Sequence, residues 1–140
     1  MTLTRQQRKI VQERAGDCCE YCHFPSSGGT VTFHIDHIIS LKHEGTDDLK
    51  NLCLACYKCN THKGSNVGGF DPENDELTRL YHPREQVWDE HFEIQSDMLI
   101  EGLTPEGRTT VKVLHINDEN RVENRQLLAE LGDYPCKKAE

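Results

Sequence analysis

Two groups of residues in this sequence carry chemistry in their types and spacing. Cys19 and Cys22 make one CxxC and Cys56 and Cys59 another, the tetrahedral sulfur set that structural zinc prefers. Around them stand His34, Asp36, His37, Asn51 and Asn60, oxygen and nitrogen donors suited to a hard divalent cation. A carboxylate from Asp36 and an amide oxygen from Asn60 would leave most positions on a Mg²⁺ free for water and a phosphate. His37, with an ordinary imidazole pKa of about 6.5, suits removal of a proton from an attacking water near neutrality. Asn51 suits holding that ring in place.

The cysteines admit two registers, because Cys18 adjoins Cys19 and because Cys53 with Cys56 also makes a CxxC. Cys56 with Cys59 is favoured: Cys53 lies in an apolar stretch, where a cysteine behaves as a small buried hydrophobe, a reading that extends to Cys18 and Cys136. Pairwise spacing and an odd count of 7 cysteines favour a metal over disulfides. Free thiols throughout are the bland alternative. With 35% hydrophobic and 6% aromatic residues, a core drawn from 140 residues is marginal. Zinc bound at such a site contributes folding free energy on the order of ~10 kcal/mol.

Around these residues the sequence predicts elements that would position them. Thr4 with Gln7 reads as a capping box opening a helix over about 5–14, stopped by Gly16. The segment CCEYCHFPSSGG is turn chemistry, bent by Pro25 and Gly28-Gly29. Alternation from Thr30 to Ile38 predicts a strand with Val31, Phe33 and Ile35 on one face and Thr32, His34 and Asp36 on the other. A polar loop at 45–48, a return strand at 49–54 and a short helix at 56–63 follow, and Gly64 and Gly68-Gly69 end the unit. A composition shift past Phe70 divides the chain into 1–70 and 71–140. In the second part Pro83 opens a helix to about His91, Phe92–Ile94 pairs with 98–101 as a hairpin, and Thr104-Pro105 starts a helix to about His115. A last helix over 118–131 is closed by Gly132.

The net charge of −8 is unusual for a protein that handles nucleic acid, but it is unevenly placed. Residues 1–70 hold 8 Lys/Arg against 7 Asp/Glu, and residues 71–140 hold 8 against 17. No apolar run follows the basic N-terminus, so neither a signal peptide nor a membrane span is expected, and a reducing cytoplasm is the expected location.

The strings HIDHIISL, GTDDLKNL and CYKCNTHKG together resemble the HNH endonucleases of the ββα-metal fold. The order matches, with 14 residues from His37 to Asn51 and 9 from Asn51 to Asn60, and the final His of the pattern replaced by Asn, the HNN variation. The resemblance implies an α+β fold, with a small ββα-metal core, an N-terminal helix and a zinc knuckle in 1–70, followed by an α-rich extension with a short hairpin. It implies that Asp36 and Asn60 bind the catalytic cation, that His37 is the general base and that Asn51 orients it. The activity implied is hydrolysis of DNA phosphodiester bonds with Mg²⁺, Mn²⁺ or Ni²⁺ beside the structural Zn²⁺. YHPREQVWDEHF and GLTPEGRTTV look like the C-terminal extension of a bacterial HNH subgroup, read as scaffold or as an acidic surface for a protein partner.

Blander readings stand beside these. An isolated Asp-His pair at a strand end is ordinarily structural, and a zinc-stabilised module that binds nucleic acid or protein without cutting fits the same cysteines. Lys63, one helical turn after Asn60, could touch a phosphate or be a solvated lysine. His34 could back the metal site or be a polar strand residue. Trp88, His91 and Phe92 read as core, and Arg84, Arg108, Arg121 and Arg125 read first as internal ion-pair partners.

Overall fold

The computed structural model describes residues 3–26 and 33–137. The expected Gly28-Gly29 bend and the start of the strand, including Val31 and Thr32, lie outside the described residues. Helix α1 (Arg5–Ala15) begins with the expected capping box: Gln7 N donates to Thr4 Oγ1 at 3.0 Å and Thr4 N to Gln7 Oε1 at 2.7 Å. It ends at Gly16, whose φ of 62° is the left-handed conformation that a helix-terminating glycine supplies readily.

Strands β1 (His34–His37) and β2 (Leu52–Ala55) pair antiparallel, with Ile35 opposite Leu54 and Asp36 opposite Cys53. Side chains alternate across such a ribbon. One face, Ile35, Leu52 and Leu54, packs under Val11 and Ala15 of α1. The other carries Asp36 and Cys53 toward Tyr21. Helix α2 (Tyr57–Lys63) follows β2 directly, with Cys56 as its N-cap. Arg14 ties α1 to the start of β2 by donating to the carbonyls of Leu49 and Leu52.

The remaining elements are β3 (Gly68–Phe70), β4 (Leu77–Arg79), α3 (Trp88–His91), β5 (Phe92–Ile94), β6 (Ile100–Gly102), α4 (Pro105–Val113) and α5 (Glu119–Glu130). The class is α+β, as expected. The β3–β4 hairpin was not anticipated. Gly68 and Gly69 look like stop signals, yet a Cβ on Gly68 would press on the Thr78 carbonyl and one on Gly69 would meet Val113 and Thr109 of α4. They are glycines of close approach. The helix expected from Pro83 shrinks to α3, because the His82 carbonyl and ring and the Gln86 amide oxygen take the local N–H groups into a turn. The β5–β6 pairing is shifted by one residue from expectation, Phe92 facing Gly102 and Ile94 facing Ile100. Among the described residues no helix is long and apolar enough to cross a membrane.

The main core draws on both parts of the sequence, from Cys19, Tyr21 and Ala55 to Leu80, Phe92, Ile100, Leu114 and Ile116. Trp88 stacks on His23 at 3.8 Å between ring centroids and donates from Nε1 to the Tyr21 carbonyl at 2.9 Å. Tyr134 donates its hydroxyl to the Cys22 carbonyl at 2.8 Å. Arg84 pairs with Glu20, and Arg108 holds Asp71 through two bonds of 3.0 and 2.8 Å. Arg125 departs from the ion-pair expectation, being buried and donating mainly to carbonyl oxygens. Arg121, also buried, divides its bonds between the Leu114 and His115 carbonyls and the sulfurs of Cys56 and Cys59 rather than a carboxylate.

Cys18 and Cys136, expected as small buried hydrophobes, are instead joined as a disulfide with a Cα separation of 5.8 Å across 118 residues of sequence. Such a distant pairing leaves no local spacing to read. Reducing it with a phosphine is expected to cost about 2–4 kcal/mol, measured as a lower urea midpoint. An unchanged midpoint would show that closing this loop contributes nothing.

Candidate active site and metal centre

The first cysteine pair sits in the turn after α1. Cys19 N donates to the Phe24 carbonyl at 2.9 Å, and Cys22 N lies 3.5 Å from Cys19 Sγ. The second pair opens α2, where Cys56 Sγ accepts from Cys59 N at 3.4 Å. The sulfurs of Cys19, Cys22, Cys56 and Cys59 all lie within 4.8 Å of one another and are buried. This is the favoured register, and these four can hold a metal such as zinc. Cys53 lies apart from them, with Sγ 3.7 Å from Asp36 Oδ2.

Burial pushes the Cys19 and Cys59 thiols well up, while hydrogen bonds from Cys19, Cys56 and Cys59 pull the Cys22 thiol well below its ordinary value. Arg121 Nη2 reaches Cys59 Sγ at 3.0 Å and Cys56 Sγ at 3.7 Å. Burial works against the Arg121 cation, but the charges of Cys59, Cys22 and Cys56 outweigh it and raise its pKa. A guanidinium set against the sulfurs suits a tetrathiolate centre, which keeps negative charge after binding a divalent ion.

On the opposite side of the β1–β2 ribbon from α1, Asp36 is 5% exposed. Its Oδ2 accepts from Tyr21 Oη at 2.9 Å, and Lys63 Nζ lies 3.1 Å from Oδ2 and 3.3 Å from Oδ1. Burial and the charges of Cys53 and Asp36 hold the Tyr21 phenol well above its ordinary pKa, so it remains a donor. Lys63 is 1% exposed and also donates to the His37 carbonyl at 3.0 Å. Its ammonium therefore faces inward, away from the position a phosphate or bulk water would occupy.

His37 is held from outside the expected set: its Nε2 lies 2.7 Å from Asp47 Oδ1. Asn51 does not bond the ring. Its Oδ1 accepts from Ile39 N at 2.8 Å, and its Nδ2 donates to the carbonyls of Ile39 and Thr46 at 3.0 and 2.7 Å. Asn51 thus pins both ends of the loop that delivers Asp47. That loop closes tightly at Gly45, where a Cβ would overlap the Ile39 carbonyl.

A shallow cleft at the end of β1 is lined by Asp36, His37 and Asn60 with Ser40, Lys42 and Ser65. Asn60 is half-buried, and among the described residues its side-chain amide has no hydrogen-bond partner. A carboxylate offers about four lone-pair directions, so Asp36 retains acceptor capacity beyond Tyr21 and Lys63. Asp36 with the free amide of Asn60 fits a hard divalent cation. His34 stands apart, its ring 6.2 Å from that of Tyr57.

Three partners were missing from the expected site: Tyr21, Asp47 and Arg121. Tyr21 lies inside the first CxxC, where the cysteines dominate the reading. Asp47 is one of two adjacent aspartates, and nothing in their spacing separates them. Arg121 is 62 residues from Cys59.

The family model for HNH endonuclease matches residues 19–66. No curated protein and no solved structure matches the chain.

Proposed function

We propose that the protein is a metal-dependent nuclease that hydrolyses DNA phosphodiester bonds at the cleft of Asp36, His37 and Asn60, a reading supported by the match of residues 19–66 to the family model for HNH endonuclease. The observation that carries this reading is the convergence of these three residues on one cleft, with His37 braced by Asp47. Asp47 accepting from Nε2–H sets the tautomer in which Nδ1 is the free acceptor, so Nδ1 takes the proton from water. Asp47 also stabilises the imidazolium that results. Asn51 acts one step back, fixing the loop that carries Asp47.

Asp36 and Asn60 would hold the divalent cation, Mg²⁺, Mn²⁺ or Ni²⁺, and such an ion supplies charge stabilisation to the phosphoryl oxygens. Lys63 holds the Asp36 carboxylate in place from behind. Zn²⁺ is the ion assigned to the four cysteines. The cleft reads a phosphate and backbone shape, so indifference to base sequence is expected.

Supercoiled plasmid cleavage by zinc-loaded wild type and His37→Ala, with and without Mg²⁺, Mn²⁺ or Ni²⁺, tests the proposal. Loss of the general base is expected to slow metal-dependent cleavage roughly 10²- to 10⁴-fold. Equal cutting by the variant would remove His37 from the mechanism. A second reading, a zinc-stabilised module that binds without cutting, is favoured by the buried Lys63–Asp36 pair, in which an ammonium already balances the carboxylate. It predicts no cutting by wild type and DNA retention that His37→Ala leaves intact.

A further inference from the structure

Away from the cleft and the four cysteines, His62, His115 and Asp118 bring imidazole nitrogens and a carboxylate oxygen within 4.8 Å of one another. His62 comes from the last turn of α2, His115 from the corner after α4, and Asp118 from the N-cap position of α5. The two rings lie 4.3 Å apart at an interplanar angle of 26°, and His115 Nδ1 is 3.4 Å from Asp118 Oδ1.

Two features separate this group from a chance surface contact. An aspartate at an N-cap ordinarily turns its carboxylate onto the first free N–H groups of its helix. Asp118 makes no such bond and faces His115 instead. His115 itself sits at φ 52°, a conformation uncommon outside glycine. The corner is also anchored, since Arg121 Nη1 bonds the Leu114 and His115 carbonyls at 2.7 and 3.1 Å while Nη2 bonds Cys59 Sγ. His62 follows Cys59 by one helical turn. The arginine that braces the cysteine cluster therefore holds the backbone of one histidine against the helix carrying the other.

Two neutral imidazoles and one carboxylate, with exposed sides open to water, form a donor set for borderline divalent ions. We propose that His62, His115 and Asp118 form a second metal site, distinct from the cysteine cluster and from the cleft, that takes a zinc-, cobalt- or nickel-class ion and clamps the α4–α5 corner to α2. The site does not depend on the nuclease reading.

Cobalt(II) is the probe, added to the full chain already carrying zinc on its four cysteines, with binding followed by calorimetry and visible absorption. One added equivalent beyond any that the cleft takes, with d–d bands but no thiolate-to-cobalt charge transfer, is expected. His62→Gln and His115→Asn, the latter tolerant of positive φ, should each weaken that binding at least about tenfold, a loss that removing even an outer-shell partner can reach. Asn60→Ala, which removes a cleft ligand, should leave that further equivalent in place. Absence of a further equivalent would overturn the site. So would binding that survives both histidine substitutions, binding lost with Asn60→Ala, or a signal carrying only thiolate charge transfer.

Discussion

Removing the metal from the four-cysteine cluster is expected to unfold the chain rather than loosen one loop. Metal binding to comparable sites contributes an apparent ~10–16 kcal/mol, against total stabilities of about 5–15 kcal/mol for whole domains. The cluster joins the turn after α1 to the start of α2, and the chain around it is tied in from far away by Trp88, Arg121 and Tyr134. Without a cation, four buried sulfurs must either carry protons or leave charge facing Arg121 alone. A chelator strong enough to take zinc should abolish the far-ultraviolet helical signal and the near-ultraviolet signal of Trp88 in one transition, with metal release counted by a colorimetric indicator. Cys59→Ser should behave similarly, whereas Cys53→Ser, outside the cluster, should shift the melt only slightly. A metal-free chain that melts like the loaded one would show that the core suffices by itself.

Lys63→Met is expected to destabilise the fold by about 3–5 kcal/mol, the cost of leaving one member of a buried ion pair without its partner. Both groups are almost sealed from water, at 1% and 5% exposure, so solvent screens the pair little. Methionine preserves most of the lysine volume, which keeps a packing defect from imitating the effect. Adding Asp36→Asn should restore much of the loss, because the amide needs no counter-charge and still accepts from Tyr21. The pair's coupling then emerges from a double-mutant cycle in urea. A near-neutral single substitution would mean that the Asp36 carboxyl does not depend on the ammonium, and would undermine the geometry argued for the cleft.

What could be read in the sequence was what short spacing encodes. The CxxC pairs, the Thr4–Gln7 cap and the β1–β2–α2 order are local patterns, and the structure reproduces them. What could not be read was the choice of distant partners. Lys63 shares a helical face with Asn60, but only the packed ribbon shows that it points back at Asp36. Asn51 is in the expected place with a different bond, because its amide fits the Ile39 and Thr46 backbone better than the ring. Gly68 and Gly69 carry no mark that distinguishes a chain stop from a site where another backbone comes near. Cys18 and Cys136 lose any signal to the length of chain between them.

Arg121 and Tyr134 impose an order on biosynthesis. A ribosome adds residues from the N-terminus at about 5–20 per second, and early segments ordinarily fold as they emerge. Here the segment matched to the family, residues 19–66, leaves the tunnel before Arg121 and Tyr134. Yet the guanidinium against its sulfurs and the phenol on its Cys22 carbonyl come 62 residues after Cys59 and 112 residues after Cys22. The matched segment is thus completed only once Tyr134 has emerged, and until then its cysteines meet surrounding metals and oxidants without either partner.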